Sequence, residues 1–371
     1  MLTQRAELTD YRELLDFENR IFDVDFLEKV PKLYIDAKKS VDCHGIIKNG
    51  GRRITAAIAA WPGAIETDCG ALRTLGIGSV AVDGNARGKG YMKDMMAYCN
   101  RVAAETNADL AFLSGSRGRY EHDGYRPCGS RTVFEVSTYF LHHFRAQKPL
   151  RFVPLTEDAD ALEAAFQLFS SQPLHWARSR DSFLTDTHTW GAESFAVREE
   201  TGAFCGYLIF EQARAHVSEL LLYETDEAAA VLAAFAKAQS IDRLTVAAEP
   251  WQLPLLQALA SFGEHITVEM PAAFKVYHWR PFLELLGTFK ARHFALPEGS
   301  LVLKIENETL RVTVKDKTCT AVPSTDAPEL LFSAMDAAVN LTTAFGALVP
   351  HTLFSAWAPL CPLGLSRADG V

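Results

Sequence analysis

The sequence predicts an α/β chain: two similar domains, each a mixed central sheet flanked by helices, followed by a small α+β unit. Three observations carry this. A β-rich run at 77–82 breaks into a glycine-bearing turn and then a helical segment at 92–105. An order of helix, hairpin, strand, helix and strand returns between about 150 and 250, and past about 280 the pattern changes to a short alternating hairpin followed by helices.

In the first domain, residues 9–22 show helical apolar spacing at Tyr11, Leu14, Leu15, Phe17 and Ile21, with Glu18 on the same stripe. Asp10, Glu13 and Asp16 stand near its start, where the helix dipole favours acids. Residues 26–36 predict a second helix. Strands are predicted at 44–48 and 53–60 around Asn49-Gly50-Gly51, a strong turn signal. Trp61-Pro62-Gly63 reads as a loop, followed by strands at 69–75 and 77–82, the long helix, an apolar strand at 109–113 and a β-rich run at 131–138.

The second domain is expected to start at Lys148-Pro149. It carries a strand at 151–155, an amphipathic helix at 158–170 and a hairpin at 193–198 and 204–212. A strand at 216–223, an Ala-rich helix at 226–240 and a strand at 243–247 complete it. Where the first domain has its glycine turn, this one has Tyr223-Glu224-Thr225-Asp226-Glu227, acidic and without glycine, which would repel a phosphate. The last unit predicts a helix at 281–287, a hairpin at 300–307 and 309–315, a short strand at 319–322, and helices at 327–335 and 335–345. The expected domains are therefore 1–147, 148–280 and 281–371.

Composition narrows the function. A net charge of −9 argues against a general nucleic-acid surface and would suit a cationic substrate. No apolar run approaches the ~20 residues of a membrane span. The first residues lack the apolar stretch of a signal peptide, and the seven cysteines are scattered with no Cys-x-x-Cys. These features predict a cytoplasmic protein with neither a metal site nor a disulfide framework.

The chemistry-bearing stretch is 78–93. A strand, a turn with Arg87, Gly88, Lys89 and Gly90, and a helix start together make an anion site. Gly88 and Gly90 allow a backbone without Cβ to approach a phosphate. A Walker loop is excluded because Lys89-Gly90 is followed by Tyr91, not Ser or Thr. A dinucleotide fingerprint is excluded because its third glycine position is Lys93.

What remains resembles motif A of the GNAT superfamily, the acyl-CoA-dependent N-acetyltransferases. Arg87 and Gly90 match; Met92 stands where Gly or Ala is usual. Downstream, Ser114-Gly115-Ser116, the 117–122 turn and Asp123-Gly124-Tyr125 sharpen the resemblance. With Met92 and the 371-residue length they look like the Eis-type (enhanced intracellular survival) acetyltransferases, which have two GNAT-like domains and a sterol-carrier-like domain. The motifs support this closely over about 76–127.

The resemblance implies acetyl-CoA as co-substrate and a small-molecule or peptide amine as acceptor. It assigns the cofactor to Val80, Ala81, Val82, Arg87, Gly88, Lys89, Gly90, Tyr91, Met92, Lys93, Tyr120 and Glu121. Tyr125 matches the family's general acid, which protonates the leaving thiolate. The family's proton acceptor, the α-carboxylate of the final residue, falls on Val371, where an aromatic residue is usual. The resemblance also implies a homo-oligomer, a hexamer, and a second domain that has lost its cofactor. His44, His122, His142, His143 and His175 are further candidate bases, His122 being closest to the turn in sequence. Phe17, Phe22, Phe26 and Tyr34 are expected in the core. Two alternatives come from other classes: a non-catalytic CoA-binding protein that keeps the shell, and a lipid-binding protein that uses the last domain.

Overall fold

The computed structural model describes residues 3–51, 53–115, 117–141, 149–360, 363–366 and 368–371. Contacts group residues 1–129, 271–362 and 370–371 into one unit and residues 130–270 and 363–369 into another.

The first unit opens with β1 (Gln4–Arg5), α1 (Tyr11–Phe22), α2 (Phe26–Lys29), α3 (Pro31–Tyr34) and α4 (Ala37–Cys43). It continues with β2 (His44–Asn49), β3 (Arg53–Thr67), β4 (Gly70–Val82), α5 (Tyr91–Thr106), β5 (Leu110–Leu113), α6 (Arg117–Tyr120) and β6 (Arg126–Cys128). The second unit holds β7 (Arg131–Ser137), α7 (Thr138–Leu141), β8 (Leu150–Pro154), α8 (Ala159–Ser170), β9 (Leu174–Trp176), α9 (Phe183–Thr187) and β10 (Glu193–Glu199). β11 (Phe204–Glu211), β12 (His216–Leu222), α10 (Ala228–Ala238), β13 (Arg243–Ala248), α11 (Leu253–Ala260) and β14 (His265–Glu269) follow. The chain then returns to the first unit with β15 (Ala272–Val276), α12 (Trp279–His293), β16 (Gly299–Ile305), β17 (Glu308–Lys315), β18 (Thr318–Pro323), β19 (Leu330–Phe332), α13 (Ala334–Thr342) and α14 (Thr352–Trp357).

In the first unit the strands run β1-β2-β3-β4-β5-β15-β6. The β3–β4 pair is antiparallel and long, while β4 and β5 are parallel over only Thr74–Ile77 against Leu110–Leu113. Beyond Ile77, β4 leaves its parallel partner and runs on to Val82. On one face α5 packs against β2, β3 and β4, burying Met95, Met96, Cys99 and Val102. On the other lies α1, with Leu14 and Phe17 in a cluster with Ile46, Ala57 and Ala81. Helices on both faces of a mixed sheet satisfy the apolar sides of every strand.

The second unit has the order β14-β7-β13-β12-β11-β10-β8, with one parallel contact, β12 to β13, at His216–Val217. The remaining sheet, β18-β17-β16-β19, is a meander with β19 parallel to β16, and α12 lies along β17 and β18.

Several details depart from the sequence reading. The 26–36 helix is two short turns interrupted at Val30-Pro31, since a proline cannot supply the next helical N–H. Trp61-Pro62-Gly63 is strand, in the middle of β3, and the 69–75 and 77–82 runs are one strand. Residues 330–332, expected in a helix, are β19; its backbone pairs with Leu303–Ile305. The 131–138 run does form a strand, but β7 hydrogen-bonds to β13 and β14, while β15, far along the chain, enters the first sheet between β5 and β6.

Candidate active site

The glycine turn stands where the sequence reading put it. Asp83 caps the turn by accepting from the Asn85 N–H at 3.0 Å, and Arg20 reaches the Asp83 carboxylate at 3.3 Å. Gly88 and Gly90 have φ of +77° and +79°, and a Cβ at either would meet nothing within 4 Å. Left-handed backbone, not crowding, asks for glycine here. Gly90 is the N-cap of α5 and no side chain caps it, so the first N–H groups of a 16-residue helix point out of the turn. An open groove of about 670 Å³ runs past this point. Its walls include Val80 and Val82, Arg87 to Gly90 except Lys89, Tyr91, Met92 and Arg119, with Ile21 and Phe22 of α1 opposite.

The groove leads to a β-bulge. Ala57 pairs with Ala81 but Ala59 pairs with Gly78, so Ser79 and Val80 together oppose one residue of β3. Ser79 takes the left-handed conformation at φ +48°. The C-terminal residue lies against this strand. A Cβ on Gly78 would stand 2.5 Å from the Val371 carboxyl carbon and 2.7 Å from its oxygen; one on Gly76 would meet the Val371 side chain at 2.8 Å. Glycine at both positions admits the terminus, and Val371 is buried.

On the α1 side of the bulge is a cluster that the sequence reading did not assemble. The Tyr34 hydroxyl lies 2.6 Å from Glu18 Oε2, 2.7 Å from Ser79 Oγ and 3.2 Å from His44 Nε2. Glu18, Tyr34 and His44 are fully buried. Burial pushes the Glu18 carboxyl up to about 8, against a smaller downward pull from Tyr34, and pulls the His44 imidazole down to about 4. One signal for this cluster was in the sequence: a glutamate on the apolar stripe of an amphipathic helix.

Two tyrosines follow the groove-lining segment. Tyr125 is buried among α5 residues, its ring 5.7 Å from Lys275 Nζ and its hydroxyl beside that of Tyr277. Burial and the neighbouring Tyr277 phenol hold its pKa well above the ordinary tyrosine value. Tyr120 is also buried, directly follows Arg119 of the groove wall, and packs against Gly115. Burial raises its pKa, and the Arg119 guanidinium draws it back down.

Residues 3–128 match the family model described as an acetyltransferase (GNAT) domain. This segment resembles a GNAT acetyltransferase domain. The GNAT family uses acetyl-CoA, and the groove suits such a donor: free helix N–H groups, a left-handed glycine turn and two arginines for phosphates, then an unpaired stretch of strand. Over nearly its whole length the chain resembles solved GNAT structures. One is a GCN5-related N-acetyltransferase from Kribbella flavida, with TM-score 0.69, 14% identity, and 98% of this chain and 96% of that one covered. Another, from Anabaena variabilis, gives TM-score 0.70 at 16% identity over 98% and 97% of the two chains. Eis1 from Mycobacterium abscessus gives 0.63 at 10% identity over 97% and 96%. At these identities the likeness is one of fold, and it extends the GNAT-like architecture across both large sheets. No curated protein matches the sequence.

Within residues 3–128, seven of the twelve expected cofactor residues line the groove: Val80, Val82, Arg87, Gly88, Gly90, Tyr91 and Met92. Ala81 points into the α1 core because neighbours on a strand face opposite ways. Lys89 and Lys93 are exposed beside the turn, and neither is a wall residue. Tyr120 lies in the core cluster and Glu121 is paired with Arg126. Val371 is at the bulge; Tyr125 is not a wall residue of the groove. His44 is buried in the network, His122 is exposed, and His175 lies in the second unit; His142 and His143 fall outside the described residues. Among the described residues no cluster of His, Cys, Asp and Glu could hold a metal ion, and no helix is long and apolar enough to cross a membrane.

Proposed function

We propose that the chain is an Eis-type N-acetyltransferase that moves an acetyl group from acetyl-CoA to a primary amine. The observation that carries this reading is the continuity of the groove. It starts at the uncapped helix N-terminus and glycine turn and follows β4, where β5 has left it, as far as Val80 of the bulge; the Val371 carboxyl lies two residues on, against Gly78. Phosphates belong at the turn, held by N–H groups and by Arg87 and Arg119. The unpaired edge of β4 is suited to amides of an extended chain, as in β-strand addition. The Val371 carboxylate draws a cationic amine to the bulge and orients it.

A proton donor is needed for the departing thiolate. Tyr125 carries the family's expected role, and its buried hydroxyl lies beside that of Tyr277. Tyr120 is better supported: it adjoins the groove wall, and Arg119 makes its phenol the readier acid of the two. The second unit is proposed to bind no cofactor, because its helix α10 begins after acidic Glu224, Asp226 and Glu227 with no glycine turn. On the same resemblance, 281–371 is a sterol-carrier-like domain with a packing role, and the enzyme a cytoplasmic homo-oligomer, a hexamer.

Thiol release from acetyl-CoA with a panel of primary amines tests the proposal, with product mass as the readout. Release only with amines, each product heavier by one acetyl group, is the expected result. A chain that binds CoA in a calorimeter and acetylates no amine would be the non-catalytic shell instead.

A further inference from the structure

The network behind the bulge holds ionisable groups where an apolar core would be more stable. A buried carboxyl with no cation beside it is costly. Glu18 has none: Tyr34 is its hydrogen-bond partner, the His44 Nε2 that lies 3.6 Å from Oε2 belongs to an imidazole that burial keeps neutral, and its second oxygen, Oε1, has no hydrogen-bond partner among the described residues.

The hydrogens of this network can be counted. His44 Nδ1 lies 2.6 Å from the Ser40 carbonyl oxygen, which can only accept, so Nδ1 carries the ring proton and Nε2 is an acceptor. Tyr34 has one phenolic proton and three partners, Glu18, Ser79 and His44. With Glu18 protonated, Glu18 and Ser79 donate to the phenol oxygen and the phenol donates to His44. With Glu18 ionised, the phenol turns its proton to the carboxylate. In the second arrangement His44 Nε2 is left without a donor; both keep every heavy atom in place, so the network conducts a proton between Ser79 and Glu18 by moving hydrogens alone.

The network has one exit. Glu18, Tyr34 and His44 are sealed, whereas Ser79 is half-buried on the bulge, next to the Gly78 that receives the Val371 carboxyl. We propose that Glu18 stores the proton lost by the acceptor amine, reached through Ser79 and Tyr34. This rests on the acetyl-transfer reading above. The ammonium N–H bond breaks and its proton goes to Ser79 Oγ. The Ser79 proton passes to the Tyr34 oxygen, and the Tyr34 proton forms an O–H bond on Glu18 Oε2. An ammonium and a carboxylate become a neutral amine and a neutral acid, so Glu18 is left uncharged, and the amine keeps its lone pair for the thioester. The proton leaves by the reverse path once the amide departs.

Of the groups at the bulge, Glu18 holds a proton best. Its carboxyl, near 8, comes closest to an amine at about 10, whereas His44 at about 4 falls far below. The groups that face it are Tyr34 from α3, His44 from the start of β2, and, across Ser79, the C-terminal Val371 carboxylate that lies against Gly78 of β4; Lys32 is a further buried charged residue on α3. On the other elements packed around α1, Lys38, Lys39, Asp42 and Arg53 are exposed, and Asp10 is paired with Lys48. Ser79 is the group that touches the reactants; Tyr34 and Glu18 act through it.

The test compares pH profiles of turnover for the parent, Glu18→Gln and Tyr34→Phe, with thermal melts and CoA calorimetry as controls for folding and donor binding. The parent should gain activity with pH on a limb near 8. Both variants should lose that limb and fall at least about 10²-fold at high pH, the usual worth of general base catalysis, with CoA affinity unchanged. Carbon-13 NMR of glutamate-labelled protein, with Glu18→Gln identifying the resonance, should show a midpoint near 8 without any substrate. An ordinary carboxylate midpoint, or a folded Glu18→Gln with the parent's rate and profile, overturns the proposal. A parent that acetylates no amine overturns the acetyl-transfer reading, and the relay with it.

Discussion

Replacing Gly78 with alanine separates a catalytic terminus from an incidental one. Gly78 does not have left-handed backbone, so alanine is opposed only by its neighbour. The new Cβ would stand 2.5 Å from the Val371 carboxyl carbon, where contacts between carbon atoms want about 3.5 Å or more. The terminus must therefore retreat by about 1 Å, and a displacement of that size costs about 10²-fold in rate when the displaced group orients a reactant. The effect on stability is bounded by the burial of one valine side chain, about 1.5 kcal/mol. Turnover should thus fall about 10²-fold in a protein that melts within a few degrees of the parent. Thiol release and thermal unfolding measure the two. The decisive comparison is a cycle with deletion of Val371. If the alanine acts by displacing the terminus, Gly78→Ala should do little more in a chain ending at Gly370. Parent-level turnover for folded Gly78→Ala, or losses that multiply in the double variant, would refute the reasoning.

Other perturbations reach other parts of the site. Gly90→Asp forces a side chain into left-handed backbone and puts a negative charge at the proposed phosphate turn, so calorimetry should detect no CoA binding, where the parent should bind one molecule per chain. Tyr120→Phe should lower kcat about 10²-fold or more with little change in the KM for acetyl-CoA, while Tyr125→Phe stays within about threefold; the reverse order returns the donor role to Tyr125. In the second unit Arg178 donates to Glu219 at 2.7 Å and to Asp369 at 2.8 Å, its side chain 2% exposed. Arg178→Met would strand two carboxylates and should cost about 3–5 kcal/mol in urea denaturation. Glu249, raised to about 8 by burial, binds its proton more tightly folded than unfolded. Its contribution is complete below the unfolded carboxylate range and is lost as pH rises through about 8. Glu249→Gln should therefore gain on the parent by up to about 1.4 kcal/mol per pH unit between pH 5 and 8, read from melting temperatures.

How much was legible in advance follows the range of the interactions. The glycine turn and helix start were legible because every part of them is local. Strand, left-handed glycines and helix start are consecutive in the chain, and the apolar periods of β4 and α5 are set by their own residues. Seven wall residues of the groove follow from that stretch alone. Individual strands were legible for the same reason, including β7 and the hairpin β10–β11. Their partners were not, since a strand's edge hydrogen bonds carry no residue identity. The 131–137 run reads as the end of the first domain, yet pairs with β13 and β14, and the gap between β5 and β6 is filled by Ala272–Val276. The same distinction governs the chemistry. The residue types of a proton path were in the sequence, including a glutamate on the buried stripe of α1. Only the tertiary fold brings Glu18, Tyr34, His44 and Ser79 together from two helices and two strands, and lays the Val371 carboxyl on the neighbouring Gly78. Burial, which decides whether a carboxyl is an ordinary surface charge or a proton store near 8, is a property of what surrounds the residue, and no window of sequence contains it.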